Sequence, residues 1–307
     1  MKCDSFGCRD RSARKQGPPP FYALLSKSCL LFAVFMCVKT IYLRKRQQEV
    51  PCGKCYQCVR RRRNDWFIRA KIERMNSPYC IFGLLTYAET DFKLNKRDVQ
   101  LFLKRLRIKG YTLKYLIVGE YGEEKERPHW HCLFFSKVPI AFNDIAISWK
   151  GGYDDDTNRN KAGWVNFSNV RSDKALRYCV KYIYKYDGTE KKFEMMVSKQ
   201  PALGIDYLKN QVFHLEQKST KFRVNGVPVA MPRYYKRKIF DDYPDIKEEV
   251  NDALAATVAR LDQAELEGLS RQYPDLSYGE LLNIKDKLNE QRNDYERSKE
   301  RNRKKSR

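Results

Sequence analysis

From Tyr79 onward, apolar residues fall in short dense runs whose period changes along the chain. Tyr79–Tyr87 is apolar almost throughout, which predicts a buried strand. Lys96–Ile108 sets Val99, Phe102, Leu103 and Leu106 at helical spacing behind Asn95, a plausible N-cap, which predicts a capped helix. Leu113–Gly119 and His129–Phe135 read as two more strands across the charged turn Tyr121–Pro128, and so as a hairpin with a long loop. Trp164–Val170 reads as a further strand. Ser172 then caps a helix expected to reach about Tyr186 and to stop at Asp187-Gly188. Strands interleaved with helices, one antiparallel hairpin among them, predict an α+β fold. Its expected form is an antiparallel sheet flanked by helices rather than a doubly wound sheet.

The flanks differ from this body. Residues 1–35 carry Pro18-Pro19-Pro20 and scattered charge with no clear period, and read as a weakly folded extension or as sequence ahead of a start at Met36. Residues 36–78 hold a cysteine-rich element and a basic helix over 59–75, whose apolar positions make no clean stripe. The body is expected over 79–240, with a short strand such as Lys221–Val229. Residues 241–307 read as a charged helical tail that frays at its basic end.

Charge narrows the partner. The chain has 61 Lys+Arg against 38 Asp+Glu, a net +23, which favours a polyanion. The apolar run 29–38 is about half the roughly 20 residues that a bilayer span needs, so no membrane role is expected. Arg60, Arg61, Arg62 and Arg63 form either a solvated helix face or a set of phosphate contacts, and the overall charge favours the second.

Three features carry candidate chemistry. His129 and His131 alternate on a strand and so point to one face. Paired across the hairpin, Glu120 would add an oxygen, and a mixed His/carboxylate set suits Mg²⁺ or Mn²⁺. Alone, a His-x-His pair more often serves buried polar partners or solvent. Tyr178 and Tyr182 share a helix face at one-turn spacing, with Lys181 and Lys185 beside them. A packing face is the bland reading, but lysines make poor core residues. A phenol near pKa 10 is a weak nucleophile at neutral pH, so a metal-polarised phosphate or a nearby ammonium would help it. Third, Cys52, Cys55 and Cys58 offer three thiolates where tetrahedral zinc takes four. Cys37 is the best fourth candidate, with Cys29 and Cys80 in competition. An iron–sulfur half-motif and free thiols are the alternatives to structural Zn²⁺.

At these residues the chain resembles the replication initiators of microviruses, small single-stranded DNA phages, and among them the gokushovirus-like branch. These are HUH endonucleases, named for a His-hydrophobic-His motif that His129-Trp130-His131 matches. Leu84-Leu85-Thr86-Tyr87 looks like the first strand motif of that class, and Tyr178-Cys179-Val180-Lys181-Tyr182 looks like its two-tyrosine motif. Val50–Cys58, followed by Arg60–Arg63 and Trp66, resembles the opening of the phage proteins; there the chain begins with a Met-Cys pair, as at Met36-Cys37. The likeness covers roughly 36–240. It implies a ferredoxin- or RRM-like sheet with the histidines on central strands and the tyrosine helix packed across them.

The activity implied is metal-dependent nicking and rejoining of the viral strand at an origin, through a 5′-phosphotyrosine. The implied partners are single-stranded and supercoiled viral DNA, host helicase and host polymerase, in the host bacterial cytoplasm. No Gly-x-x-x-x-Gly-Lys loop is present, so strand separation is assigned to the host. A relaxase or transposase would share the chemistry. A non-catalytic zinc-containing nucleic-acid-binding protein would explain the charge and cysteines but leave the paired histidines and tyrosines as coincidence.

Overall fold

The apolar runs fold much as their periods predict. The computed structural model describes residues 37, 40–89, 92–122, 126–149, 153–154, 159–160, 162–183 and 194–305. The reading of residues 1–35 lies outside them, as do Lys185 and Tyr186. In chain order the elements are β1 (Thr40–Leu43), β2 (Gln48–Pro51), α1 (Tyr56–Met75), β3 (Tyr79–Tyr87), α2 (Lys96–Ile108), β4 (Leu113–Tyr121), β5 (Pro128–Ser136), α3 (Phe142–Trp149), β6 (Tyr153–Asp154), β7 (Arg159–Asn160) and β8 (Ala162–Asn169). They continue with α4 (Asp173–Lys181), β9 (Glu194–Val197), α5 (Gln211–Glu216), β10 (Lys221–Val224), β11 (Val227–Ala230), α6 (Arg233–Phe240), α7 (Pro244–Gln272) and α8 (Tyr278–Lys305).

A five-stranded sheet runs β8-β3-β5-β4-β9, with each neighbouring pair antiparallel. The pleat divides β5 between two cores. Trp130, Cys132 and Phe134 point toward α2 and α3, where they meet Phe102, Leu106, Ile145 and Trp149. Leu133 and Phe135 point the other way, against Phe67, Ile68, Ala70 and Ile72 of α1 and Leu176, Cys179 and Val180 of α4. The fold is therefore α+β, an antiparallel sheet with helices on both faces, as expected. Asn95 and Ser172 cap α2 and α4 as the sequence suggested, accepting from the amides of Arg97 and Lys174. Gly83 lets β3 and β8 close up, because a Cβ there would meet the Asn166 carbonyl and the Phe167 ring.

The weak stripe of α1 has a physical cause: two charged residues sit on its buried side. Arg69 donates to the Leu203 carbonyl through Nε at 3.1 Å and Nη2 at 2.9 Å, with Trp66 and Tyr234 rings on its guanidinium. Glu73 accepts from the Gly204 amide and from Lys114 Nζ, each at 2.8 Å. Removing one partner of a buried pair strands the other. Glu73→Ala is therefore expected to cost about 3–5 kcal/mol, read from urea unfolding. A loss of less than about 1 kcal/mol would show that the pair contributes no more than a surface bridge.

Three segments differ from expectation. The described helix α4 ends at Lys181, with Tyr182 as its C-cap, and the continuation toward Tyr186 lies outside the described residues. The strand expected over Lys221–Val229 is a hairpin, because Asn225 and Gly226 both take positive φ, the type I′ geometry that turns a chain sharply. The C-terminal residues do not fray early: α8 continues to Lys305 and packs on α7 through Leu266, Leu269 and Leu281. Among the described residues no helix is long and apolar enough to cross a membrane.

Candidate active site and cysteine cluster

β4 and β5 pair so that Glu120 stands opposite His129. Both side chains then leave the sheet on one face, with His131 one pleat further along. His131 Nε2 is 3.1 Å from Glu120 Oε2 and 3.2 Å from His129 Nε2, and His129 Nε2 is 3.9 Å from Glu120 Oε2. Ligands about 2.1 Å from a small divalent ion and at right angles lie roughly 3 Å apart, so this triangle suits Mg²⁺ or Mn²⁺. Glu120 and His131 are buried and His129 is half-buried. The Arg127 carbonyl lies 3.0 Å from His129 Nδ1. A carbonyl only accepts, so Nδ1 carries the proton in the neutral ring and Nε2 keeps its lone pair toward the triangle.

α4 crosses the same face. Tyr182 stacks flat on His131, with ring centroids 4.0 Å apart and planes 3° from parallel. Tyr178 meets His131 edge-on at 5.5 Å and Tyr182 at 5.1 Å. Lys181 Nζ lies 5.9 Å from the Tyr178 ring centre and 5.5 Å from that of Tyr182. Tyr178 remains 38 % exposed, open to a ligand from solvent. Lys185 lies outside the described residues.

Two contacts fix α4 in this position. Buried Cys179 directs its thiol at the carbonyls of Leu116 and His131, at 3.9 Å and 3.8 Å. Asp173 in the first turn bonds Lys71 Nζ at 2.9 Å and Arg74 Nη1 at 2.8 Å on α1. Burial raises the Asp173 carboxyl, but Lys71 and Arg74 outweigh it and hold it below the ordinary value. A depressed carboxyl adds stability above its unfolded pKa and loses it as pH falls through the depressed value. Asp173→Asn is accordingly expected to destabilise the protein by about 0.5–1 kcal/mol at neutral pH. That difference should shrink in acid, as urea titrations at both pH values would read.

The sequence motifs did not include Phe82, whose ring lies 6.3 Å from His131 and 5.6 Å from Tyr178. Its signal was available: Phe82, Leu84 and Thr86 alternate along β3, and Leu84 and Thr86 pair with His131 and His129.

A second cluster lies at the start of α1. The β1–β2 hairpin pairs Thr40 with Pro51, which carries Cys37 toward Cys52. The ligand atoms of Cys37, Cys52, Cys55 and Cys58 all lie within 4.8 Å of one another, and Cys55 Sγ is 3.9 Å from Cys37 Sγ. Four thiolates about 2.3 Å from one zinc stand roughly 3.8 Å apart, so the residues fit it. The amides of Lys54 and Cys55 point at Cys52 Sγ, at 3.4 Å and 3.3 Å. Gly53 has φ +74° in this tight turn, where a side chain would be strained. Burial pushes the Cys58 thiol up to about 12. At Cys52 burial also raises the thiol, but the Cys55 and Lys54 amides and the Cys37 and Cys55 thiols outweigh it and bring it to about 7. Cys80, the competitor for fourth ligand, is buried in the sheet core, and Cys29 lies outside the described residues.

The four arginines divide. Arg60 reaches Glu296 of α8 at 3.5 Å, Arg61 and Arg62 are exposed, and Arg63 is half-buried. The third histidine, His214, is a satisfied core residue, held by the Tyr207 hydroxyl at 2.7 Å and the Ser219 carbonyl at 2.8 Å.

Comparison with known proteins agrees with this picture. Residues 80–187 match a family model of phage replication-associated proteins of the ORF2 type. The chain is 29% identical over 237 residues to the replication-associated protein ORF4 of Chlamydia phage 1, covering 67% of this chain and 58% of that protein. It is 28% identical over 218 residues to the replication-associated protein VP4 of Bdellovibrio phage phiMH2K, covering 64% of this chain and 69% of that one. It is 24% identical over 230 residues to the replication-associated protein ORF2 of Spiroplasma virus 4, again covering 64% and 69%. No solved structure matches. The resemblance to microvirus replication proteins that the motifs carried is thus borne out by these relatives.

Proposed function

We propose that this chain is a replication initiator that nicks and rejoins single-stranded DNA through a tyrosine. The observation that carries the reading is the stacking of Tyr182 on His131, with Tyr178 against both, on the face that also holds Glu120 and His129.

Glu120, His129 and His131 would hold Mg²⁺ or Mn²⁺. When bound, that ion polarises a phosphodiester and offsets charge that builds on it. The chain's own groups do the rest. The phenol oxygen of Tyr178 or Tyr182 attacks phosphorus and loses its proton; the bond from phosphorus to the 3′-oxygen breaks, and that oxygen leaves as a hydroxyl after taking up a proton. Lys181, close to both rings, favours the phenolate that attacks. The product is a 5′-phosphotyrosine, which keeps one ester bond for each one lost, so rejoining needs no nucleotide hydrolysis. The second phenol allows a second attack while the first still holds its strand. Exposed Arg61 and Arg62 would bind backbone phosphates without reading sequence. Cys37, Cys52, Cys55 and Cys58 would hold zinc as a closed structural site.

The test is incubation with single-stranded viral origin DNA and Mn²⁺, followed by a denaturing gel and mass spectrometry of the tyrosine–nucleotide adduct. A covalent band that appears only with the ion supports the proposal. Retarded DNA with no cleavage, from folded protein, would favour a zinc-containing binding protein instead.

A further inference from the structure

Trp164 is 82 % exposed on a strand of the central sheet, an unusual place for an indole in water. Its orientation is set by its neighbours. Val165 and Phe167 pack into the core beside α2 and α3, so Trp164, Asn166 and Ser168 must leave the opposite face of β8. That is the face of the histidines: Leu84 pairs with both Asn166 and His131, and Thr86 pairs with His129. Thr86 donates to the Trp164 carbonyl at 2.9 Å across the irregularity in the β3–β8 ladder. A row thus runs across the sheet from Trp164 through Thr86 and His129 to Glu120. Strands lie about 4.8 Å apart, which puts Trp164 two strands from His129, roughly 10 Å away. The described helix α4 covers His131 through Tyr178 and Tyr182, and its ring contacts do not extend to Trp164.

We infer that Trp164 is a stacking platform for a base of the single strand whose neighbouring phosphate sits at Glu120, His129 and His131. This rests on the function proposed above. An exposed flat ring beside hydrogen-bonding Asn166 and Ser168 suits an unpaired base, and the net charge of +23 draws in the strand that carries it. Stacking tolerates any base, so Trp164 positions the strand and does not select sequence. A double helix hides its base faces, so the platform also favours single strands over duplex.

The test uses the full chain with Tyr178→Phe and Tyr182→Phe, which binds without cutting, in Mn²⁺. Adding Trp164→Ala should weaken binding of a short mixed-sequence single strand about five- to a hundredfold, while Trp164→Phe should stay within about threefold of the parent. Trp164→Ala should bind an abasic strand as the parent does. Indole emission should be quenched by the normal strand in the parent and much less in Trp164→Phe, because Trp130 and Trp149 are buried. Undiminished binding by Trp164→Ala would overturn the inference, as would equal losses in both variants with a lowered melting temperature. Adduct formation by the wild-type chain, run alongside, separates the two readings. An adduct with undiminished Trp164→Ala binding overturns the platform alone; neither adduct nor single-strand binding overturns both.

Discussion

Replacing both Tyr178 and Tyr182 with Phe is expected to lower adduct formation at least about a thousandfold, while either single variant still forms an adduct through the remaining phenol. The expectation follows from geometry. Both rings touch His131, so either oxygen is placed to serve the same phosphate. Phe keeps the ring contacts and removes only the nucleophile, so the fold should not suffer. His131→Ala should reduce the rate by more than about a hundredfold, beyond what changes to groups behind a metal's ligands usually cost, and added Mn²⁺ should not restore it. Time courses on denaturing gels would read all four variants. A double Phe variant that still forms adduct would place the nucleophile elsewhere and sink the assignment.

Loss of the cysteine-bound ion should have the second large effect. Purified protein is expected to carry one zinc per chain, and Cys58→Ser to lose it with at least about 3 kcal/mol of stability. The reason is local. Few apolar contacts hold the β1–β2 hairpin, whose Ile41, Tyr42 and Leu43 are exposed, so the four sulfurs are its main tether to α1. Binding must displace the Cys58 proton, so zinc affinity should fall as pH drops. Elemental analysis and urea melts would decide; iron in place of zinc, or an unchanged melt in Cys58→Ser, would refute this.

Much of the fold was legible because its strongest signals are local. β3 and α2 were bounded correctly from apolar density and from Asn95. Glu120 was placed opposite His129 because a hairpin fixes both register and face. Cys37 was the favoured partner for Cys52, Cys55 and Cys58 on chain proximity, and the hairpin brings it to them. What escaped depends on distant contacts. Arg69 and Glu73 obscured the buried side of α1 because their partners, Leu203, Gly204 and Lys114, lie far along the chain. β9 is short and pairs only with β4, so no turn announces it. The hairpin at Asn225-Gly226 was a missed local signal, since that dipeptide between apolar runs marks a tight turn. Trp164 was read as an ordinary strand residue, because exposure depends on what fails to cover a residue.

The alternation along Pro128–Ser136 puts imidazoles on one side and Trp130, Cys132 and Phe134 on the other. Inserting or deleting a single residue there would exchange the sides, driving the imidazoles into the hydrocarbon interior and turning the indole toward the phenols. Descendants of this gene are therefore free to drift in the identity of many residues along that segment, but not in its length.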